Sequence, residues 1–192
     1  MIPAALARKG YCVQTQFLPL DICRALVQEM SQLDQADPFP VAGVGNRNRL
    51  KLAPDVRGDR IHWLEPLALT PTQELLMKPL EELRVACNRE LFLGLASLEG
   101  HYAHFAPGTF YRKHHDAFLN DDARVVSAVL YLNEDWQPED GGELRIYASE
   151  GPTLVEPRAG TLAVFLSREI EHEVLPTRKA RRSFAAWFKR AP

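Results

Sequence analysis

The feature that decides the fold prediction is the run Tyr-Arg-Lys-His-His-Asp at residues 111–116. Side chains alternate between the two faces of a β-strand, so a strand here would place His114 and Asp116 on one face and His115 on the other. A third residue, His172, lies far downstream in the run Glu-His-Glu-Val. Two histidines and one carboxylate form the facial ligand set that binds Fe(II) and leaves coordination positions open. The sequence therefore predicts a metal site built from strands that are distant in the chain.

The second half of the chain alternates apolar and polar residues with the period of two that is typical of β-strands. Glycine and proline residues interrupt this pattern at short intervals, which indicates tight turns between antiparallel strands. Many short strands of this kind favour a sandwich or a barrel. We predict strands at Leu98–Phe105, Phe110–Asp116, Arg124–Asn133, Glu143–Tyr147, Thr153–Val155, Thr161–Ser167, Glu171–Pro176 and Arg181–Lys189.

The first half of the chain is predicted to be mostly helical. A first strand at Gly10–Leu18 is followed by a helix that opens at Pro19, and a short strand is expected at Ile61–Leu64. Thr70 begins a second helix with the signature of a capping box. Pro79 lies inside that helix, and we expect it to kink the helix or split it in two.

These patterns together predict an α+β fold built around a double-stranded β-helix, the jelly-roll form, with the N-terminal helices packed on one outer face. The length suits a single domain over residues 1–192. Within it, residues 1–96 are expected to form a helical support region with the first strands, and residues 97–192 the β core.

The composition is that of an ordinary globular domain: of 192 residues, 46% are hydrophobic and 25% charged, with a formal net charge of −2. The lack of a basic excess argues against a nucleic-acid partner. No apolar run is long enough to span a bilayer and no signal peptide is recognisable, so we expect no membrane partner. Three scattered cysteines without metal or disulfide spacing indicate a reducing compartment, and a cytoplasmic protein is expected.

Arg181 is the first candidate for binding a ligand beside the metal. It follows His172 by nine residues, across a turn predicted at Leu175–Thr177. A hairpin there would return Arg181 to the metal pocket, where its planar guanidinium could bind a carboxylate. Small residues between Arg181 and Trp187 on the same strand face would leave room for a slender ligand. The alternative is a surface cation in a basic turn.

Tyr131 is the second candidate. It shares one strand face with Val129, and its hydroxyl could contact a carboxylate held by Arg181. The alternative is a core tyrosine with its hydroxyl at the rim. We predict no direct role for the remaining histidines: His62, His101, His104 and His115.

Five blocks of sequence carry a resemblance to a known family. In their order and spacing they resemble the Fe(II)/2-oxoglutarate-dependent prolyl 4-hydroxylases, in particular bacterial members and the animal hypoxia-inducible-factor prolyl hydroxylases. The resemblance as a whole extends over residues 10–189, and the five blocks carry it. They are Val56–Glu65, Tyr111–Asp116, Tyr131–Trp136, Gly141–Ile146, and His172–Val174 with Arg181 and Trp187.

The resemblance implies a 2-oxoglutarate-dependent dioxygenase whose catalytic core is the β region. Its cofactors and cosubstrates would be Fe(II), 2-oxoglutarate and O₂, with ascorbate as an additional candidate. It would hydroxylate a proline in a protein or peptide substrate and release succinate and CO₂.

The same resemblance assigns roles to individual residues. The implied iron ligands are His114, Asp116 and His172. The implied contacts to 2-oxoglutarate are Arg181 and Tyr131 at its distal carboxylate, with Val129, Leu144 and Trp187 lining the pocket. The implied residues near the substrate entrance are Arg124 and Asp59, which we expect to pair with each other.

Phe105 departs from the family pattern. The family often has a tyrosine just before the Pro-Gly turn that precedes the His-x-Asp strand, and Phe105 occupies that place. A hydroxyl that helps to hold the cosubstrate would therefore be absent. Tyr102 and His104 are candidates to replace it, although in a regular strand both would lie on the face opposite to Phe105.

Two alternatives on the same fold stay open. One is a hydroxylase of a free amino acid or another small molecule, and the other is a non-catalytic sensor of 2-oxoglutarate, which Phe105 favours and the intact triad opposes. Nucleic-acid demethylation is not expected, because it needs a basic face. We expect a monomer or weak homodimer. The candidates for closing over the substrate are the loop at Gly43–Asp55 and the chain end after Trp187.

Overall fold

The computed structural model describes residues 1–45, 51–117 and 123–191. The predicted closing loop at Gly43–Asp55 therefore lies partly outside the described residues. The helices are α1 (Ile2–Lys9), α2 (Leu20–Ala36) and α3 (Pro71–Leu91). The strands are β1 (Tyr11–Gln14), β2 (Asp59–Trp63), β3 (Leu95–Phe105), β4 (Tyr111–His114), β5 (Arg124–Tyr131), β6 (Leu144–Ala148), β7 (Gly151–Val155), β8 (Leu162–Leu166), β9 (Glu171–Val174) and β10 (Arg181–Arg190).

The strands form two antiparallel sheets. The larger sheet has the order β1-β8-β5-β10-β3-β2, and the smaller has the order β4-β9-β6-β7. Consecutive strands of the second half alternate repeatedly between the two sheets, as in a double-stranded β-helix. The predicted α+β class and jelly-roll core are confirmed, with small shifts at the strand ends.

The larger sheet separates two apolar clusters, and β5 contributes to both. Val126, Ala128 and Leu130 pack in the cluster between this sheet and the helices. Val129 and Tyr131 point to the other face, toward the cluster between the two sheets. The helices therefore cover one outer face, as predicted, and leave the inter-sheet space for a site.

The helix predictions were right in part. Thr70 and Gln73 form the capping box: the Thr70 hydroxyl accepts from the Gln73 N–H at 3.1 Å, and the Gln73 side chain accepts from the Thr70 N–H at 3.2 Å. Pro79 does not split α3, because Leu76 and Leu80 on either side are fully buried and hold the helix together. The short helix α1 was not predicted. Within the described parts of the chain, no helix combines the length and apolar character needed to cross a bilayer.

A glutamate on α2 ties the helices to the larger sheet. Glu29 accepts hydrogen bonds from the hydroxyls of Tyr102 at 3.0 Å and Thr70 at 2.6 Å, and from the Gln73 amide at 2.7 Å. Tyr102 lies on the helix-facing side of β3, so this network fixes that strand. It thereby positions Ala103 and Phe105, which face the inter-sheet space.

Candidate active site

Two histidines face each other across the smaller sheet. In the antiparallel pairing of β4 with β9, His114 lies directly opposite His172, and their ring centroids are 4.3 Å apart. A register shift between Tyr111 and His114 accompanies this alignment. Residues directly opposite in a ladder point to the same face. His172 also packs on Phe165 of the larger sheet, at 4.5 Å between centroids, so the pair faces the inter-sheet space.

Asp116 joins the two histidines from just beyond the strand. The predicted strand continued to Asp116, but β4 ends at His114 and Asp116 lies in a bend. Its carboxylate oxygens lie 3.6 Å from His114 Nε2 and 3.7 Å from His172 Nε2. One ligand atom from each residue falls within 4.8 Å of the others. The structure thus brings the three predicted ligands together.

Backbone carbonyls fix the proton on each imidazole. His114 Nδ1 contacts the Arg112 carbonyl at 2.7 Å, and His172 Nδ1 contacts the Ile170 carbonyl at 3.3 Å. Because a carbonyl only accepts, each Nδ1 carries hydrogen, and Nε2 is the ring nitrogen left to bind a metal. Burial lowers the pKa of His172 to about 4, which keeps it neutral.

The carboxylate of the triad is ionised. Burial acts to raise the pKa of Asp116, but the imidazoles of His172 and His114 outweigh it and hold that pKa well below its usual range. Two imidazole nitrogens and one carboxylate are the donor set that suits Fe(II). The residues present therefore fit the metal that the pattern predicts.

Tyr111 and Arg57 support His114, and the sequence interpretation did not single out either one. The Tyr111 ring stacks on His114 at 3.6 Å and 17°. The Arg57 guanidinium lies 4.3 Å from the Tyr111 ring centroid and donates to both carboxylate oxygens of Asp59, at 2.7 and 2.5 Å. The only available signal was the presence of Arg57 and Tyr111 in two of the family-like blocks.

The predicted pairing of Asp59 with Arg124 was wrong. Asp59 is 1% exposed, and the neighbouring Arg57 occupies both of its oxygens. Arg124 instead donates to Glu99 at 3.0 Å, and its guanidinium lies 3.8 Å from the ring centroid of Trp187. Arg124 is therefore held beside Trp187, while Asp59 fixes Arg57.

Arg181 reaches the inter-sheet space by a route that differs from the prediction. Because β9 and β10 belong to different sheets, the connection between them crosses the sandwich and is not a hairpin. The Arg181 side chain is 1% exposed. Its guanidinium carbon lies 4.9 Å from the ring centroid of Phe105 and 5.1 Å from that of Tyr131. The surface-cation alternative is excluded.

Arg181 and Tyr131 each have a hydrogen-bond donor without a partner among the described residues. Arg181 Nε donates to the Gly142 carbonyl at 2.8 Å and Nη1 donates to the Ser183 hydroxyl at 3.3 Å. Arg181 Nη2 and the Tyr131 hydroxyl are buried without a partner among the described residues. Burial raises the pKa of Tyr131 to about 12, so the phenol keeps its proton.

These unpaired donors indicate a ligand. A buried unpaired polar group is unfavourable by about 1–3 kcal/mol, so native structures rarely keep one without a function. A carboxylate could accept from the guanidinium and from the phenol at once. The residues present therefore fit the distal carboxylate of 2-oxoglutarate.

The predicted lining residues surround the same space. Val129 on β5 lies opposite Ala185 on β10, and Trp187 lies opposite Ser127. Leu144, on the smaller sheet, belongs to the same inter-sheet cluster as Tyr131. The two residues between Arg181 and Trp187 on this face of β10, Ser183 and Ala185, both have small side chains.

Phe105 brings no hydroxyl to this space, and its neighbours on β3 do not replace it. The Tyr102 hydroxyl donates to Glu29 on the helix side. His104 Nδ1 lies 3.0 Å from Arg60 Nη2, also away from the inter-sheet cluster. Both side chains therefore lie on the face of β3 opposite to Phe105, as the strand pattern predicted.

A jelly-roll core with a two-histidine, one-carboxylate cluster and a buried arginine beside it defines a non-haem Fe(II) type of centre. A family model described as the 2OG-Fe(II) oxygenase superfamily matches residues 100–189. The crystal structure of a Pseudomonas putida prolyl-4-hydroxylase superposes with a TM-score of 0.90 and 43% identity, over 100% of this chain and 98% of that chain. The chain belongs to the 2OG-Fe(II) oxygenase superfamily, among its members that resemble prolyl hydroxylases.

Two further relatives extend this comparison. A Trichoplax adhaerens prolyl hydroxylase, in complex with a peptide of the hypoxia-inducible-factor oxygen degradation domain, superposes with a TM-score of 0.88 and 25% identity, over 98% of this chain and 87% of that one. Human Egl nine homolog 1 is 30% identical over 97% of this chain and 45% of its own length. The chain thus spans about half the length of the curated relatives that it matches first. Fe(II), 2-oxoglutarate and O₂ are the cofactor and cosubstrates of the family.

Proposed function

We propose that this chain hydroxylates a proline residue in a protein or peptide and converts 2-oxoglutarate and O₂ to succinate and CO₂. The observation that carries the proposal is the pair of unpaired donors on Arg181 and Tyr131, in the same inter-sheet space as the three candidate iron ligands. Two similar proteins support the choice of substrate, since both are prolyl hydroxylases and the structure of one is a complex with a peptide.

The three candidate ligands would hold Fe(II), which supplies electrons and an open coordination site for O₂ activation. In the overall reaction one oxygen atom of O₂ enters succinate, the other becomes the hydroxyl on the substrate carbon, and CO₂ leaves.

The chain's own residues would bind and orient the reactants. Arg181 and Tyr131 bind the distal carboxylate through charge-assisted and neutral hydrogen bonds. Phe105, Ile146 and Phe165 are buried in the inter-sheet cluster and exclude water from the reacting atoms. Because water is excluded, side reactions at the metal centre are suppressed.

The entrance residues are assigned differently from the sequence prediction. Arg124 is a candidate for contact with substrate, because Glu99 and the Trp187 ring hold its guanidinium in place. Asp59 is buried and bonded to Arg57, so its contribution would be to fix Arg57 rather than to touch substrate.

The test is hydroxylation of capped peptides that contain one proline, with Fe(II), 2-oxoglutarate and O₂ present. We expect mass spectrometry to find one added oxygen atom on the proline and one succinate per hydroxylated peptide. Because peptide contacts away from the reacting carbon add transition-state binding, kcat/KM should exceed that for free proline by at least about tenfold.

Matched controls separate the alternatives. The same peptide with alanine in place of proline should gain no oxygen. Hydroxylation of free proline but of no peptide would support the small-molecule alternative. Binding of 2-oxoglutarate without succinate formation would support the sensor.

A further inference from the structure

A histidine and a tryptophan at one end of the active-site face carry hydrogen-bonding atoms that the proposed reaction does not use. His101 on β3 and Trp187 on β10 are 3% and 7% exposed, and their ring centroids are 5.3 Å apart. Trp63 packs edge-on against His101 at 4.8 Å. Because Trp63 lies directly opposite His101 on β2, it shares the same face of the larger sheet.

The strand register places this group at the end of the face away from the carboxylate site. Along β10, side chains of Arg181 and Trp187 point to the same face from opposite ends of the strand. His101 lies opposite Ala185, and Ala185 lies opposite Val129. With about 4.8 Å between neighbouring strands, His101 is therefore roughly 10 Å from Val129.

This end of the face borders solvent. Arg181 is 1% exposed at one end, whereas Trp63 is 38% exposed at the other. Because Trp63 packs on both His101 and Trp187, a polypeptide bound along this surface would lie beside them.

His101 presents an acceptor. Its Nδ1 contacts the Tyr102 carbonyl at 3.1 Å, so Nδ1 carries the hydrogen and Nε2 keeps a lone pair. Nε2 has no hydrogen-bond partner among the described residues. Burial lowers the pKa of His101 to about 4, so the ring is a neutral acceptor at physiological pH.

Trp187 presents a donor. Its Nε1–H is buried and has no partner in the described parts of the chain. One face of its ring is covered by the Arg124 guanidinium. Since buried unpaired donors are rare in native structures, this N–H indicates that a ligand oxygen accepts a hydrogen bond from it.

We propose that His101 and Trp187 recognise the backbone of the substrate: His101 Nε2 accepts a hydrogen bond from a peptide N–H, and Trp187 Nε1 donates one to a peptide carbonyl. One acceptor and one donor side by side match the two polar groups of the polypeptide backbone. Proline in a chain has no N–H, so the N–H belongs to a neighbouring residue. The inference rests on the proposed function and specifies its substrate class, an internal proline of a polypeptide.

The test compares two probes that differ in one atom group. The first is N-acetyl-Ala-Pro-Ala-methylamide, and the second replaces the N–H after proline with an ester oxygen. Dissociation constants are measured by NMR titration on the full chain loaded with 2-oxoglutarate and Zn(II) in place of Fe(II). Wild type should bind the amide about fivefold to tenfold more tightly than the ester, as expected for one buried hydrogen bond.

Substitutions of His101 and Trp187 test the two proposed hydrogen bonds separately. His101→Leu should remove the discrimination between the probes, because it removes the acceptor. Trp187→Phe keeps a ring but loses the donor, so it should weaken both probes by about fivefold. His104→Leu is the matched control on the opposite face of β3, and it should keep the wild-type ratio.

Three outcomes would overturn the proposal: equal affinity of wild type for the two probes, binding of neither probe, or full discrimination by His101→Leu. A recognition site for backbone has to bind even this minimal peptide, so a failure to bind is decisive. Affinity for 2-oxoglutarate and succinate formation are measured on the same preparations with Fe(II). Normal succinate formation with equal probe affinities removes only this inference, whereas loss of 2-oxoglutarate binding in wild type removes the proposed function.

Discussion

Replacing His114 with alanine is expected to weaken Fe(II) binding by at least about 100-fold and to abolish succinate formation. The change removes one of three ligand atoms that lie within 4.8 Å of one another. Loss of a group that only orients a ligand typically weakens metal affinity by about 10- to 100-fold, so loss of a ligand itself should do more. Anaerobic titration of the purified protein with Fe(II) measures the affinity, and succinate is quantified on the same samples.

The neighbouring histidine is the matched control. His115 is exposed and is absent from the cluster of candidate ligands. His115→Ala should therefore keep wild-type Fe(II) affinity and turnover. Equal effects of the two substitutions would remove His114 from the metal site.

Replacing Arg181 with leucine is expected to weaken 2-oxoglutarate binding by at least about 100-fold, because charge-assisted hydrogen bonds contribute about 1.5–3 kcal/mol each. Arg181 Nη2 is one of the buried donors that have no partner within residues 1–45, 51–117 and 123–191. Tyr131→Phe removes the other donor and should weaken binding less, by about tenfold. Calorimetric titration of the metal-loaded protein with 2-oxoglutarate measures both effects.

Thermal unfolding is an independent test of 2-oxoglutarate binding at Arg181. Without ligand, Arg181→Leu should leave the unfolding temperature unchanged or raise it, because it removes a buried charge that has an unpaired N–H. Saturating 2-oxoglutarate should raise the unfolding temperature of wild type and leave that of Arg181→Leu unchanged.

The adjacent arginine is the control for this prediction. Arg182 points to the helix side of β10, because neighbouring residues of a strand alternate faces. Arg182→Leu should bind 2-oxoglutarate as wild type does. A normal affinity in Arg181→Leu would contradict the assignment of the carboxylate site.

The sequence indicated which residues could bind the metal, but it did not show that these residues lie close together in the fold. Strand alternation alone indicated that His114 and Asp116 share a face. The alignment of His114 with His172 depends on a register shift in β4, and Asp116 reaches the cluster from a bend beyond the strand. Periodicity describes one strand at a time and does not specify how distant strands pair.

Arg181 and Asp59 also show that the sequence pattern does not specify contacts between distant parts of the chain. Arg181 reaches the predicted space, although by a crossing between sheets rather than by a hairpin. Asp59 pairs with Arg57 and not with Arg124, because a basic residue two positions away in the chain occupies both carboxylate oxygens. The alternation of side chains along a strand predicted which side chains point inward. The residue that each of them contacts depended on how the chain folds.

The most direct measurement of the central claim is the mass of succinate formed under ¹⁸O₂ by the Fe(II)-loaded protein. If His114, Asp116 and His172 bind the metal beside a 2-oxoglutarate held by Arg181, each succinate should carry one heavy oxygen atom, and His114→Ala should form none. Unlabelled succinate, or labelled succinate formed by His114→Ala at the wild-type rate, would contradict the assignment of this site.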